Sequence, residues 1–247
     1  GLSRGATIEP RDRPPTASVR RSFRKRGNMT SAYFALGQIA GGTRHASPFH
    51  WGELQKIWQN AALANRLADE FPTEGFNFRQ RNGGYFYRRT IIPLGSLGVD
   101  QPATLTDAWQ AMCGELVSED FRAAMSHLCA TDLSEFPMEA VAFRGGKDTH
   151  YLPHVDASLR RGFRLIIYFN AHWERDWGGL LRILDPGDRH DARHVMLPVI
   201  GNATVIIRDG IYEDTWHEVT RLCNTNSVTR NTLNVTYYCP GTTTTAQ

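Results

Sequence analysis

The chain has 247 residues, of which 41% are hydrophobic and 21% charged, and its formal net charge is +3. This length allows one sizeable core, and an all-β domain with added helices commonly reaches it as a single unit. The small charge does not argue for nucleic acid, and no apolar run reaches the roughly 18 residues of a membrane span. We expect a soluble, cytoplasmic protein, consistent with four cysteines scattered without a C-x-x-C pair.

Residues 1–28 are rich in Arg, Ser and Pro and poor in apolar side chains, so they cannot bury enough surface to fold alone. We expect a basic, flexible tail that is a leader upstream of a start at Met29, or vector-derived sequence. Contact with RNA or an anionic surface is one alternative. A transit peptide is another, although Glu9 and Asp12 argue against it. Residues 29–247 are expected to form one domain.

Two stretches of the N-terminal half carry apolar residues at helical spacing. From Trp51 to Phe71 these residues alternate with charged and amide side chains, which predicts a supporting helix. Residues 105–129 repeat the pattern and predict two helices divided near Ser118. Between these parts, residues 76–93 contain a Gly-Gly pair and the β-favouring run YFYRRTII, which predict strands around a turn.

From Met138 onward the sequence consists of short β-rich runs separated by turns such as Asp185-Pro186-Gly187-Asp188. Many short strands that follow helices favour a mostly β fold with supporting helices. Its core, over about 138–240, would be a double-stranded β-helix, the jelly roll of cupin type. Helical and strand support would occupy 29–137. The segment HDARH (190–194) follows a Pro-Gly turn and has no apolar face, so we predict a solvated loop there.

A metal-ligand pattern lies within the β-rich part. His154 and Asp156 are two apart in an extended segment, so their side chains share one side of a strand while Val155 faces away. An H-x-D pair alone is weak evidence, but His217 supplies a third ligand. Two imidazoles and one carboxylate form the facial triad typical of a non-heme Fe(II) oxygenase. We predict His154, Asp156 and His217 as the metal ligands and the catalytic centre.

The last predicted strand begins with Arg230 and alternates polar with apolar side chains. On an ordinary sandwich its polar face would meet water, whereas beside a metal triad we expect it to face into the barrel. A guanidinium there can bind a carboxylate through two parallel hydrogen bonds. Arg221 is the competitor for this role, but it lies in an apparent loop, so the strand favours Arg230.

Five segments together resemble the 2-oxoglutarate and Fe(II) dependent dioxygenases, and within them the prolyl-hydroxylase branch. They are YLPHVD (151–156), RLIIYFNAHW (164–173), WGGLLRIL (177–184), TWHEV (215–219) and TRNTLNVTYY (229–238). The N-terminal half carries no matching motif. The resemblance implies that Arg230 holds the distal carboxylate of 2-oxoglutarate and that Tyr168 helps to bind it. A plain core tyrosine is the alternative for Tyr168.

The resemblance also implies the reaction and its cofactors. The family hydroxylates unactivated C–H bonds and couples this to decarboxylation of 2-oxoglutarate to succinate and CO2. It uses Fe(II), 2-oxoglutarate and O2, with ascorbate in a supporting role. Related halogenases carry a small residue at the carboxylate position, so Asp156 favours hydroxylation. Desaturation and ring formation stay open.

Arginines near the predicted site favour a small-molecule substrate that carries a carboxylate, such as a free or modified amino acid. Arg79, Arg88 and Arg144 could line the mouth of the site. A peptidyl or protein prolyl residue is the alternative substrate. Two further hypotheses are a cupin-like metalloenzyme without 2-oxoglutarate and a non-catalytic binding protein. No membrane or nucleic-acid partner is expected, and the oligomeric state stays open.

Overall fold

The computed structural model describes residues 31–81, 84–156, 161–208, 215–223 and 228–241. The predicted tail at 1–28 lies outside these residues. Four α-helices are present in the described part: α1 (Leu36–Ala40), α2 (Ala61–Asp69), α3 (Asp107–Leu116) and α4 (Glu119–Cys129). The strands are β1 (Thr43–His45), β2 (Trp51–Leu54), β3 (Asn77–Arg81), β4 (Gly84–Ile92), β5 (Met138–Gly145), β6 (Tyr151–His154), β7 (Gly162–Tyr168), β8 (Leu181–Leu184), β9 (Ala192–Met196), β10 (Ala203–Arg208), β11 (His217–Val219) and β12 (Arg230–Tyr238).

These strands form two sheets that face each other. The major sheet has the order β1-β2-β10-β7-β12-β5-β4-β3, and the minor sheet has the order β6-β11-β8-β9. Between the sheets lies an apolar cluster that includes Ile166 and Tyr168 from β7, Leu181 from β8 and Val219 from β11. Two facing antiparallel sheets with helices outside them confirm the predicted class, a mostly β double-stranded β-helix.

The helices cover the outer face of the major sheet. Thr106 and Ser118 cap the N-termini of α3 and α4 by accepting hydrogen bonds from backbone N–H groups, so the two helices predicted over 105–129 divide at Ser118 as expected. Their apolar faces pack against the outward side chains of the sheet, among them Leu233 and Val235 of β12. The strands predicted within 76–93 are β3 and β4, which pair antiparallel at the sheet edge. Among the described residues, none of the helices is long and apolar enough to cross a membrane.

The helix predicted from Trp51 to Phe71 is wrong in its first part. Trp51–Leu54 is β2, which pairs with β1 and β10. Trp51 packs between the sheets whereas Leu54 packs under the helices, so a short strand with two buried faces imitates helical spacing. Helix α2 begins only at Ala61, where the side chain of Asn60 accepts a hydrogen bond from the Leu63 N–H.

The loop predicted at 190–194 is also wrong in part. Ala192–Met196 is β9, an edge strand of the minor sheet, which pairs with β8. His194 lies on this strand with its Nε2 3.3 Å from Glu53 Oε2 of β2. His190 is exposed in the preceding turn. Pairing with β8 overrides the local polarity of the segment.

Trp109 joins the helices to the sheet, and its removal should lower the stability of the fold. Its ring is fully buried against Phe71 and Phe169, and its Nε1–H donates to the Leu67 carbonyl over 3.0 Å. We expect Trp109→Ala to lower the free energy of unfolding in urea by about 3–5 kcal/mol. Leu97→Ala is the control, since Leu97 is 79% exposed, and should change it by less than about 0.5 kcal/mol. A similarly small change in the free energy of unfolding for Trp109→Ala and for Leu97→Ala would contradict this packing.

Candidate metal centre

The minor sheet brings the three predicted ligands together. His217 of β11 and His154 of β6 are direct partners across an antiparallel pair, and Asp156 follows two residues after His154. One ligand atom from each of the three residues lies within 4.8 Å of the other two. Among the described residues this is the one group of three such side chains placed to hold a metal ion. The sequence had separated His154 from His217 by more than 60 residues, and strand pairing closes that distance.

Both imidazoles are oriented by backbone carbonyls. The Nδ1 of His154 lies 2.8 Å from the carbonyl oxygen of Leu152, and the Nδ1 of His217 lies 2.8 Å from that of Thr215. Because a carbonyl can only accept, each Nδ1 must carry the proton, which leaves the Nε2 lone pair for a metal. Burial, reinforced by the neighbouring His154, lowers the pKa of His217 to about 3. His217 is therefore neutral at neutral pH, as a ligand must be.

Asp156 supplies the anionic ligand, and two arginines hold it. Burial by itself would raise the pKa of this carboxyl, but the guanidinium groups of Arg164 and Arg208 hold the pKa well below its usual range. The Nη1 of Arg164 lies 2.8 Å from Oδ1 and 2.9 Å from Oδ2 of Asp156. The Nη1 of Arg208 lies 3.5 Å from Oδ2. Two imidazole nitrogens and an ionised carboxylate form a donor set that fits Fe(II).

The triad opens into a cavity of about 460 Å³ between the two sheets. The polar face of β12 lines this cavity, as the alternation in the sequence predicted. Its contributing residues are Arg230, Thr232, Asn234 and Thr236. Apolar and aromatic walls come from β4 to β8 and β11: Phe86, Val141, Phe143, Tyr151, Ile166, Leu181 and Val219. Polar and charged side chains from both sheets thus share the cavity with these apolar walls, and such a combination can orient a polar small molecule while it excludes bulk water.

Arg230 reaches the cavity from the start of β12. It is only 9% exposed, and its Nε donates to the Gly179 carbonyl over 2.7 Å. Its guanidinium carbon lies 5.8 Å from the centre of the Tyr168 ring. Burial lowers the pKa of Arg230. Gly179 permits this approach, because it has a positive φ of 66° and a Cβ there would lie 3.3 Å from Arg230 Cδ.

Tyr168 is fully buried behind Arg230. Its hydroxyl lies 3.0 Å from the Thr204 hydroxyl, and burial raises the pKa of the phenol. Arg221, the competitor of Arg230, is exposed, and its Nη1 lies 3.6 Å from Asp148 Oδ1. The structure thus brings Arg230 to the cavity with Tyr168 beside it, and it places Arg221 on the surface.

Of the three arginines predicted to line the mouth of the site, two line the cavity and one does not. Arg79 of β3 and Arg88 of β4 line the cavity. Arg144 does not, because successive side chains of a strand face opposite sides and its neighbour Phe143 takes the inward position. Arg144 instead shares the outer face with Tyr87 and Asn231, its partners on the adjacent strands.

Three charged residues of the cavity region were missed by the sequence reasoning: Arg164, Arg208 and Glu139. A signal for Arg164 existed, because it precedes Tyr168 by four residues on β7 and so shares its inward face. The same alternation on β10 places Arg208 on the face of Thr204. Glu139 is buried on β5, and its Oε1 accepts a hydrogen bond from the Tyr238 hydroxyl over 2.5 Å.

Comparison with known proteins agrees with this geometry. Residues 139–238 match the family model of the 2OG-Fe(II) oxygenase superfamily. The matched segment contains the whole triad and Arg230. The resemblance read from the sequence is therefore confirmed, together with the enzyme class, a 2-oxoglutarate-dependent dioxygenase. Members of this family require Fe(II) and 2-oxoglutarate. No curated protein matches the sequence.

Solved structures share the fold at low sequence identity. A Pseudomonas putida prolyl-4-hydroxylase is 20% identical with a TM-score of 0.56, covering 76% of this chain and 91% of its own. A Trichoplax adhaerens prolyl hydroxylase, in complex with a hypoxia inducible factor peptide fragment, is 14% identical with a TM-score of 0.55, covering 82% and 88%. The epimerase SnoN of nogalamycin biosynthesis is 12% identical with a TM-score of 0.54, covering 83% and 80%. These likenesses establish the double-stranded β-helix and leave the substrate open.

Removal of one imidazole should strongly weaken metal binding. We expect His217→Ala to weaken binding of Mn(II), measured by the electron paramagnetic resonance signal of the free ion, by at least about 100-fold. His194→Ala is the matched control, because His194 lies on β9 beside Glu53 and outside the triad. It should bind Mn(II) as the unmodified protein does. Unchanged binding in His217→Ala would remove this residue from the site.

Proposed function

We propose that the protein hydroxylates an unactivated C–H bond of a small substrate that carries a carboxylate, such as a free or modified amino acid. The reaction would be coupled to decarboxylation of 2-oxoglutarate. A single cavity supports this proposal, because it contains the metal triad and the buried Arg230. It also contains Arg79 from the edge strand β3 and Arg88 from the neighbouring strand β4. Two dissimilar anions could thus be bound around one metal centre.

The residues of the chain would divide the binding work between the metal and the cosubstrate. His154, Asp156 and His217 would hold Fe(II), and Arg230 would take the distal carboxylate of 2-oxoglutarate. The bond from Arg230 Nε to the Gly179 carbonyl fixes the plane of the guanidinium, and Tyr168 supports it from behind. When bound, Fe(II) and 2-oxoglutarate supply the activation of O2, with succinate and CO2 as the products of the cosubstrate.

The remaining contribution of the protein is orientation and exclusion of water. Ile166 of the major sheet and Leu181 and Val219 of the minor sheet place apolar surface in the cavity between the sheets. Such walls keep bulk water from the reacting groups and leave the placed polar groups to orient the ligands. Arg79 and Arg88 would position the carboxylate of the substrate so that one C–H bond faces the metal.

Arg230 should control cosubstrate affinity. We expect Arg230→Ala to weaken 2-oxoglutarate binding to the Mn(II)-loaded protein, measured by calorimetry, by roughly 30- to 150-fold, since charge-assisted hydrogen bonds are worth about 2–3 kcal/mol. Arg221→Ala serves as the control, because Arg221 is exposed beside Asp148. It should change the affinity less than about twofold. A larger loss of 2-oxoglutarate affinity in Arg221→Ala than in Arg230→Ala would assign the distal carboxylate to Arg221.

Turnover tests the substrate class. We expect succinate release to rise when free amino acids are supplied, and to rise much less with the corresponding amides, because the amides lack the anion that Arg88 would bind. Arg88→Gln should raise KM for the stimulating acid by about tenfold or more with kcat little changed. The readout is succinate and hydroxylated product by mass spectrometry. Turnover of prolyl peptides without any response to free acids would favour the peptidyl alternative.

A further inference from the structure

The metal carboxylate is already engaged by positive charge. Arg164 Nη1 is within 2.9 Å of both oxygens of Asp156, and Arg208 Nη1 is 3.5 Å from one of them. The two arginines lie on adjacent strands of the major sheet, β7 and β10, opposite the minor sheet that supplies the histidines. Asp156 is thus held between the cations of one sheet and the imidazoles of the other.

Arg164 is fixed in this position. Its Nε donates to the hydroxyl of Thr236, on the neighbouring strand β12, over 3.4 Å. Its side chain is 13% exposed, and that of Arg208 is 0% exposed. Solvent therefore screens both charges poorly, and their electrostatic interaction with a nearby ion is strong.

The charges around the triad do not favour a divalent ion by themselves. The triad contributes one negative charge, that of Asp156, and Glu139, which lines the same cavity, adds a second, of which the Arg164 cation offsets one. Arg208 adds further positive potential at the same carboxylate. A divalent cation that binds alone would leave a strongly positive buried site. A dianion that binds beside the metal would restore the balance.

We propose that Arg164, assisted by Arg208, is a positioning residue that couples metal binding to 2-oxoglutarate binding. Arg164 orients Asp156 through its hydrogen bonds, while its charge disfavours the metal alone and favours the metal together with the dicarboxylate. This inference rests on the proposed 2-oxoglutarate site. By linkage, the metal must tighten 2-oxoglutarate binding by the same factor by which 2-oxoglutarate tightens metal binding.

The experiment compares the Kd of Mn(II) for the full chain with and without saturating 2-oxoglutarate. The coupling ratio is the Kd without the cosubstrate divided by the Kd with it, and we expect at least about tenfold for the unmodified protein. Arg164→Gln keeps a neutral N–H donor and removes the charge. It should bind Mn(II) alone several-fold more tightly and lower the ratio by at least about threefold relative to the unmodified protein.

Two controls separate charge from structure. Arg164→Lys keeps the charge and should keep the coupling ratio. Arg193→Gln removes an exposed arginine that pairs with Asp185 outside the site, and it should also keep the ratio. Circular dichroism and thermal unfolding establish that each variant is folded. If Arg164→Gln does not fold, Arg208→Gln takes its place, and a reduced ratio in that variant supports the proposal whereas an unchanged ratio overturns it.

Several results would overturn the inference. A ratio below about threefold in the unmodified protein would show that the cations do not couple the two ligands. Equal weakening of Mn(II) binding by Arg164→Gln with and without 2-oxoglutarate would reduce Arg164 to a purely structural support of Asp156. If 2-oxoglutarate does not bind the Mn(II)-loaded protein at all, the proposed function fails. Binding of both ligands without coupling would refute only this inference.

Discussion

The antiparallel pairing of β6 with β11 is the constraint on which the site depends. It sets His154 opposite His217 and carries Asp156 to the same point. The hydrogen bonds from each Nδ1 to a carbonyl two residues earlier then turn both Nε2 atoms toward the carboxylate. A shift of this pairing by one residue would reverse the faces and separate the three ligands.

The two sheets have different tasks around this centre. The minor sheet supplies the imidazoles, and the major sheet supplies the cations: Arg164 and Arg208 next to the metal carboxylate, and Arg230 elsewhere in the cavity. The helices α3 and α4 cover the outer face of the major sheet, so the strands that carry these cations are buried on both sides. This double burial keeps the guanidinium groups poorly hydrated and makes their charges effective in the cavity.

The sequence predicts those features of the site that depend on the spacing of residues along one strand or helix. It does not reveal the contacts that depend on how distant strands pair with one another. The pair His154 and Asp156 and the polar face that begins at Arg230 follow from strand alternation, and the cap at Ser118 marks a helix boundary by its residue type. The contact of Arg164 with Asp156 depends on how β7 sits beside the segment after β6, which no local pattern reveals. Trp51–Leu54 was mistaken for helix because a strand buried on both faces lacks the alternation that identifies it.

The central claim is that a metal bound by His154, Asp156 and His217 shares one cavity with a dicarboxylate bound by Arg230. A crystal structure of the protein grown without O2 in the presence of Mn(II) and 2-oxoglutarate tests it directly. We predict metal density in contact with Nε2 of both histidines and with Asp156, and the distal carboxylate of 2-oxoglutarate against the guanidinium of Arg230. A metal ion held by other residues, or a cosubstrate carboxylate bound at Arg221 instead, would contradict the claim.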